Sequence, residues 1–169
     1  MKVVLNATPL IYVGKKRKTG LLRLVFKKVL VPVEVEEEIM KFGDSPEAVQ
    51  LRDAIQEGWI EVEQASENKK KQIAKLFGEI DEGEVAVIAL ALEGHGGTVV
   101  IDDAEARTAA EYFELKVHGT LYIILEAYKR NIFKSKAEVV SMVNNMLRKS
   151  FYISSEVYAR FLFLLDKLR

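Results

Sequence analysis

Carboxylates gather at the edges of apolar segments in this 169-residue chain. Asp81, Glu82 and Glu84 open the run Val85 to Leu92, which is apolar on every side. Asp102 and Asp103 close the short β-branched segment Thr98 to Ile101. Asn6 ends the apolar stretch Lys2 to Leu5, and Glu38 lies in a helical pattern from Val33 to Phe42. A helix apolar around its whole girth is a buried helix, and a short Val/Ile run bounded by glycines is a buried strand. The ends of such elements can hold charge near a core without submerging it. Three or four carboxylates drawn from separate elements repel one another unless a cation lies between them. Magnesium and manganese take hard oxygen ligands, a few carboxylates with waters and substrate phosphate. Such a site can place a water for in-line attack on a phosphodiester and stabilise the charge that develops. The expectation is that these acids converge on a divalent metal.

Each acid also fits an ordinary structural role. Asp81 and Glu84, three apart, read as a capping box with Asp81 as N-cap. Asp103 reads as the N-cap of a helix starting at Ala104. Asp102 reads as a solvated strand end and Glu38 as a surface charge. On a wheel of about 100° per residue, however, Val35, Ile39 and Phe42 form an inward stripe. Glu38 falls on the edge of that stripe, whereas Glu37 points away. The metal reading rests on all the acids falling at one end of one sheet.

The elements that must bring them there follow from the pattern. Strands are expected at Lys2–Leu5, Val29–Val31, Trp59–Glu63, Thr98–Ile101 and Lys116–His118. Thr8-Pro9 reads as an N-cap with proline at the first helical position. Further helices are expected from Thr19 to Phe26, with Leu21, Leu22 and Val25 inward, and from Val33 to Phe42. Ser45-Pro46 starts another that Gly58 stops. Others follow from Asn68 to Phe77, from Ala104 to Glu114, from Gly119-Thr120 to Arg130, from Ser135 to Lys149 and from Ser154 to Leu168. Short strands alternating with helices predict a parallel sheet covered on both faces, with its site at the strands' carboxyl ends. No linker or internal repeat interrupts the pattern, so residues 1–169 read as a single domain.

Composition narrows the chemistry. Lys+Arg and Asp+Glu are 25 each, so only a local patch could favour nucleic acid. The runs Lys15–Lys18 and Lys69–Lys71 could touch a nucleic-acid backbone, but charged runs are usually solvated faces. There is no cysteine, which removes disulfides, zinc–thiolate sites and thiol nucleophiles. His95 and His118, the only histidines, have neither metal-ligand nor triad spacing. Gly94-His95-Gly96-Gly97 precedes a strand instead of following one, so it reads as a turn and not as a phosphate loop. No apolar run reaches the ~18 residues of a membrane span. The amino terminus reads as a strand and not as a signal peptide, so the expected location is the cytoplasm.

Four segments, in order, resemble the signature segments of PIN domains: Leu5-Asn6-Ala7-Thr8-Pro9-Leu10-Ile11, Val31 to Glu38, Asp81 to Ala91, and Val100 to Arg107. The match is closest to a prokaryotic branch related to the ribonuclease toxins of type II toxin–antitoxin systems. His118-Gly119-Thr120-Leu121 and Lys149 to Ser154 resemble that branch too. The resemblance implies a three-layer α/β/α sandwich around a parallel sheet of about five short strands. It implies a Mg2+- or Mn2+-dependent endoribonuclease acting on RNA, often homodimeric, and in some members restrained by an antitoxin. By the same resemblance Glu38, Glu84 and Asp103 match metal-site acids, Asp102 accompanies them, and Thr8 matches a hydroxyl residue two after the first acid. Asn6 stands where the family carries its first aspartate, which leaves the site one negative charge short. A catalytically degenerate domain that binds RNA or protein is the alternative that this departure raises. The carboxyl-terminal helix, with Val157, Phe161, Leu164, Leu165 and Leu168 on one stripe, is the expected surface for a homodimer, or else packs on its own domain.

Overall fold

Val3, Val4, Leu5, Val29, Leu30, Val31, Val99, Val100 and Ile101 are all fully buried. Strands covered on both faces lose the alternation of a half-exposed sheet and read as unbroken Val/Ile/Leu runs. The computed structural model describes residues 2–14, 19–95 and 97–168. The basic run Lys15–Lys18, Gly96 and the His95 side chain lie outside the described residues. Two compact units meet in sequence after Thr120, Met1–Thr120 and Leu121–Arg169.

The first unit holds the sheet. β1 (Lys2–Leu5), β2 (Lys28–Pro32), β3 (Ile60–Glu63), β4 (Thr98–Val100) and β5 (Lys116–His118) lie in the order β3-β2-β1-β4-β5. Every pairing is parallel, with Val4 opposite Val99 and Leu5 opposite Val100 at the centre. The edge strands β3 and β5 are only partly buried, which is why they carry Glu61, Glu63, Lys116 and His118. The strands are joined by α1 (Ala7–Gly14), α2 (Thr19–Val25), α3 (Val33–Met40), α4 (Pro46–Gln56), α5 (Glu67–Leu76), α6 (Glu82–Leu90) and α7 (Ala104–Tyr112). This is the α/β/α arrangement expected. Chain order runs outward one way through β1, β2 and β3, then returns to the other side of β1 for β4 and β5. The crevice at such a reversal, outside the carboxyl ends of the central strands, is where open parallel sheets bind ligands. Asn6 follows β1 there, and Asp102 and Asp103 follow β4.

The second unit consists, in its described residues, of the remainder of α8 (Thr120–Lys129), with α9 (Lys136–Leu147) and α10 (Ser155–Lys167). Ser135 and Ser154 cap α9 and α10 through their hydroxyls. Among the described residues no helix is long and apolar enough to cross a membrane.

Three local expectations are corrected. α1 starts at Ala7, so Thr8 lies within the first turn and is not the cap. The carboxamide oxygen of Asn6 accepts the Ala7 N–H at 2.8 Å instead. Pro9 still fits, because the first four helical N–H groups need no intrahelical acceptor. α3 ends at Met40, and Phe42 sits in the following turn, 56% exposed, outside the inward stripe formed by Val35 and Ile39. Along α10, Phe161 and Leu165 are buried but Val157 and Leu164 are exposed. The predicted single stripe is therefore split between two directions.

Candidate active site

α6 begins with the capping box that its sequence announces. The Asp81 carboxylate accepts the Glu84 N–H at 2.8 Å, and the Asp81 N–H donates to Glu84 Oε2 at 3.4 Å. Every residue from Gly83 to Leu90 is buried. A helix apolar on every side is covered on every side, so Glu84, in its first turn, is carried inward with it. Only 6% of Glu84 is exposed.

Its second oxygen meets the end of β1. Asn6 Nδ2 lies 3.5 Å from Glu84 Oε1, at the outer limit of a hydrogen bond. Asn6 is itself held on two sides: its N–H donates to the Val100 carbonyl at 3.2 Å, and its Oδ1 accepts from Ala7. The β1–β4 ladder thus continues one residue past the strand and fixes the amide in the crevice.

α3 supplies the next acid. A Cβ placed on Gly83 would meet Asp81 Oδ1 at 3.4 Å, Val35 Cγ2 at 3.5 Å and Glu38 Oε2 at 3.6 Å. The Asp81 and Glu38 carboxylates therefore flank one point at the start of α6, and glycine leaves that point clear. Asp103, at the start of α7, accepts the Ala106 N–H at 3.0 Å as an N-cap and is exposed.

These acids press on one another. Burial raises the Glu84 pKa from 4.5 to about 7, with the charges of Asp81, Asp103 and Glu38 adding to it and the Asp81 N–H opposing. Glu38 is exposed as a residue, but its carboxyl is also pushed upward, by partial burial first and Asp81 second, against a lowering from Lys41. The charged side chains acting on Glu84 are all acidic. A divalent cation fits that donor set in charge and in oxygen chemistry. Among the described residues, no three or more His, Asp or Glu side chains are already arranged to hold a metal ion. Asp81, Asp103 and Glu84 instead spend oxygens on helix caps, and like charges have no reason to close up on their own.

Asp102 faces elsewhere. Its Oδ1 accepts the Thr120 N–H at 2.8 Å and its Oδ2 the Thr120 hydroxyl at 2.5 Å. Burial raises its pKa, against the two Thr120 hydrogen bonds and the charge of Arg107. Arg107 donates to the Ile101 carbonyl at 3.0 Å. A Cβ at Gly119 would stand 3.0 Å from Asp102 Oδ1 and 3.5 Å from an Arg107 nitrogen, so a larger residue there would press on the Asp102 carboxylate. Ile101, Asp102, Arg107 and Thr120 form one brace under the Asp103 turn.

The structure thus brings Asn6, Glu38, Glu84 and Asp103 to one region, with Thr8 partly exposed in the adjacent first turn of α1. It turns Asp102 toward Thr120. Asp81, a cap and one of the acids expected to converge, raises the pKa of both Glu38 and Glu84. Thr120 and Arg107 were not read as supports, and no local pattern marks them. Of the lysine run, Lys70 turns inward to pair with Glu34 and Glu67, which breaks the run as a continuous patch.

The sequence model of a family described as a PIN domain matches residues 2–167. Among curated proteins none matches the chain.

Proposed function

This chain belongs to the PIN-domain family, and from that premise we propose that it is a metal-dependent endoribonuclease. The family has a nuclease-type fold, and its members generally depend on a divalent metal. The observation that carries the reading is Glu84: a carboxylate almost out of water, pressed by three further acids from two other elements and its own cap.

Glu38, Glu84 and Asp103 would hold Mg2+ or Mn2+, with Asp81 beside them. The cation would supply charge neutralisation at the phosphodiester and a water activated for attack. Asn6 steadies Glu84 as a neutral donor, and Thr8, partly exposed in the first turn of α1, would offer its hydroxyl to substrate or water. Asp102 acts through Asp103: by holding Thr120 it sets the turn that aims the neighbouring carboxylate. RNA cleavage that requires Mg2+ or Mn2+ and disappears in Asp103→Ala is the expected result. Metal-dependent cleavage that survives Asp103→Ala unchanged would sink the assignment.

The same reading takes residues 1–169 as one domain, supported by a family match that runs from 2 to 167. It places the protein in the cytoplasm as a toxin-type nuclease, dimeric through α10 and open to restraint by an antitoxin. Asn6 favours one second reading, a domain that keeps the fold and binds RNA or protein without cutting. The amide already gives Glu84 a partner that a cation would otherwise provide.

A further inference from the structure

Three aromatic rings meet at the end of α7, outside the acidic site. Tyr112 stands edge-on to Phe113 at 5.1 Å and to Phe77 at 5.4 Å, and Phe77 stands edge-on to Phe113 at 6.1 Å. A cluster of this kind is ordinarily core. Here Tyr112 is 65% exposed, and Leu76 beside Phe77 in sequence is 59% exposed. Phe113 also lines a groove of about 340 Å³ with Lys69, Gln72, Ile73, Lys75 and Leu76. The wall is apolar and carries two lysines and no acid. Lys70, which would have made a third cation, is committed to Glu34 and Glu67.

We propose that the exposed Tyr112 ring, beside this groove, is a platform on which a base of single-stranded RNA stacks, with Lys69 and Lys75 on the adjoining phosphates. Charge complementarity selects the occupant. An exposed ring beside an apolar groove that carries two ammonium groups matches a ligand with a π-face and an anionic backbone. An apolar protein segment would leave both lysines unused. The volume suits one nucleotide and not a duplex. The placement suits a strand that also reaches the acids. α7 is capped by Asp103 and ends at Tyr112, and its nine residues span about 14 Å. The inference rests on the RNA-cleaving reading for its ligand, but not on catalysis.

The test measures affinity of the full-length protein for a labelled single-stranded RNA of about 12 nucleotides, with chelator present so that nothing is cut. Tyr112→Ala, at an exposed position, is expected to weaken binding by about 5- to 150-fold, the range for losing one stacked base. The double variant Lys69→Gln/Lys75→Gln is expected to reduce the slope of log affinity against log salt by about 1.4. Neither change is expected to alter binding of the same sequence as a duplex. A parent that fails to bind the single strand, or variants with unchanged affinity and slope, would overturn the platform. So would a Tyr112→Ala that changes the solution mass and leaves RNA affinity alone, since the face would then be a protein interface. A separate cleavage assay in Mg2+ keeps the two readings apart. Cleavage by the parent with unaltered Tyr112→Ala binding removes the platform only. Binding through the platform without metal-dependent cleavage removes the nuclease only.

Discussion

The Asn6 amide and the Glu84 carboxylate stand 3.5 Å apart although 78 positions separate them in the chain. Were Asn6 an aspartate, two carboxylates would face each other at that distance in a site where burial and three more acids already oppose charge. The amide removes one negative charge and adds a donor. The protein therefore tolerates the cluster better without metal, and gains less from binding one.

Asn6→Asp should reverse that balance. The variant is expected to be less stable than the parent in chelator near neutral pH, and to bind Mn2+ more tightly. If the parent is inert, it is expected to gain metal-dependent RNA cleavage. Calorimetry and a cleavage assay read both effects. A variant with unchanged metal affinity would show that position 6 is not part of the ion's surroundings.

Acidity should govern the stability of the metal-free protein. Glu84 is raised from 4.5 to about 7 on folding, so between those values the folded state keeps a proton that the unfolded chain has released. The Glu84 contribution is full below about pH 4.5, falls as pH rises, and is lost above about pH 7. Glu38 and Asp102 are shifted in the same sense. The Glu84 contribution is roughly 3 kcal/mol, or about 6–12 °C in Tm for a chain of this size. Mg2+ or Mn2+ should restore most of the loss at pH 7.5 and little of it at pH 5. Glu84→Gln should flatten the profile. A metal-free Tm that climbs from pH 5 to 7.5 would contradict the cluster.

Thr120→Val tests the brace. The substitution keeps the shape and removes the hydroxyl that donates to Asp102 Oδ2. A hydrogen bond to a charged group contributes about 1.5–3 kcal/mol, and that loss of stability is expected. If Asp102 acts on the neighbouring acid as proposed, metal affinity should fall about 10- to 100-fold as well, the range for loss of an outer-shell partner. Thr120→Ser should recover most of it. Unchanged metal affinity in the valine variant would leave Asp102 a purely structural residue.

The exposed side of α10 offers Val157, Leu162, Phe163 and Leu164 to solvent, with Lys167 lying 5.2 Å from the centre of the Phe163 ring. If this face pairs with a second copy, light scattering will give twice the chain mass at micromolar concentration. Leu164→Glu will then give the single mass with an unaltered circular dichroism spectrum. A parent that already runs as a monomer would end the dimer proposal.

Much of the scaffold was legible in the residues themselves. Strands buried on both faces announce themselves as Val/Ile/Leu runs, and Ser45, Asp81, Asp103, Ser135 and Ser154 mark helix starts by chemistry that reaches only three residues ahead. The parallel sheet, and the placing of Asn6, Asp102 and Asp103 at strand ends, follow from such short-range signals. What each side chain faces does not. The strand order β3-β2-β1-β4-β5 puts the end of β1 beside the end of β4, and the packing of α3 on α6 sets Glu38 beside Asp81. Tertiary structure alone turned Asp102 to Thr120, set Asp81 against both Glu38 and Glu84, sent Phe42 outward and split the stripe of α10. Periodicity and capping are decided within a turn or two of chain. The nearness of charges is decided by which distant segments share a crevice, and no stretch of sequence carries that by itself.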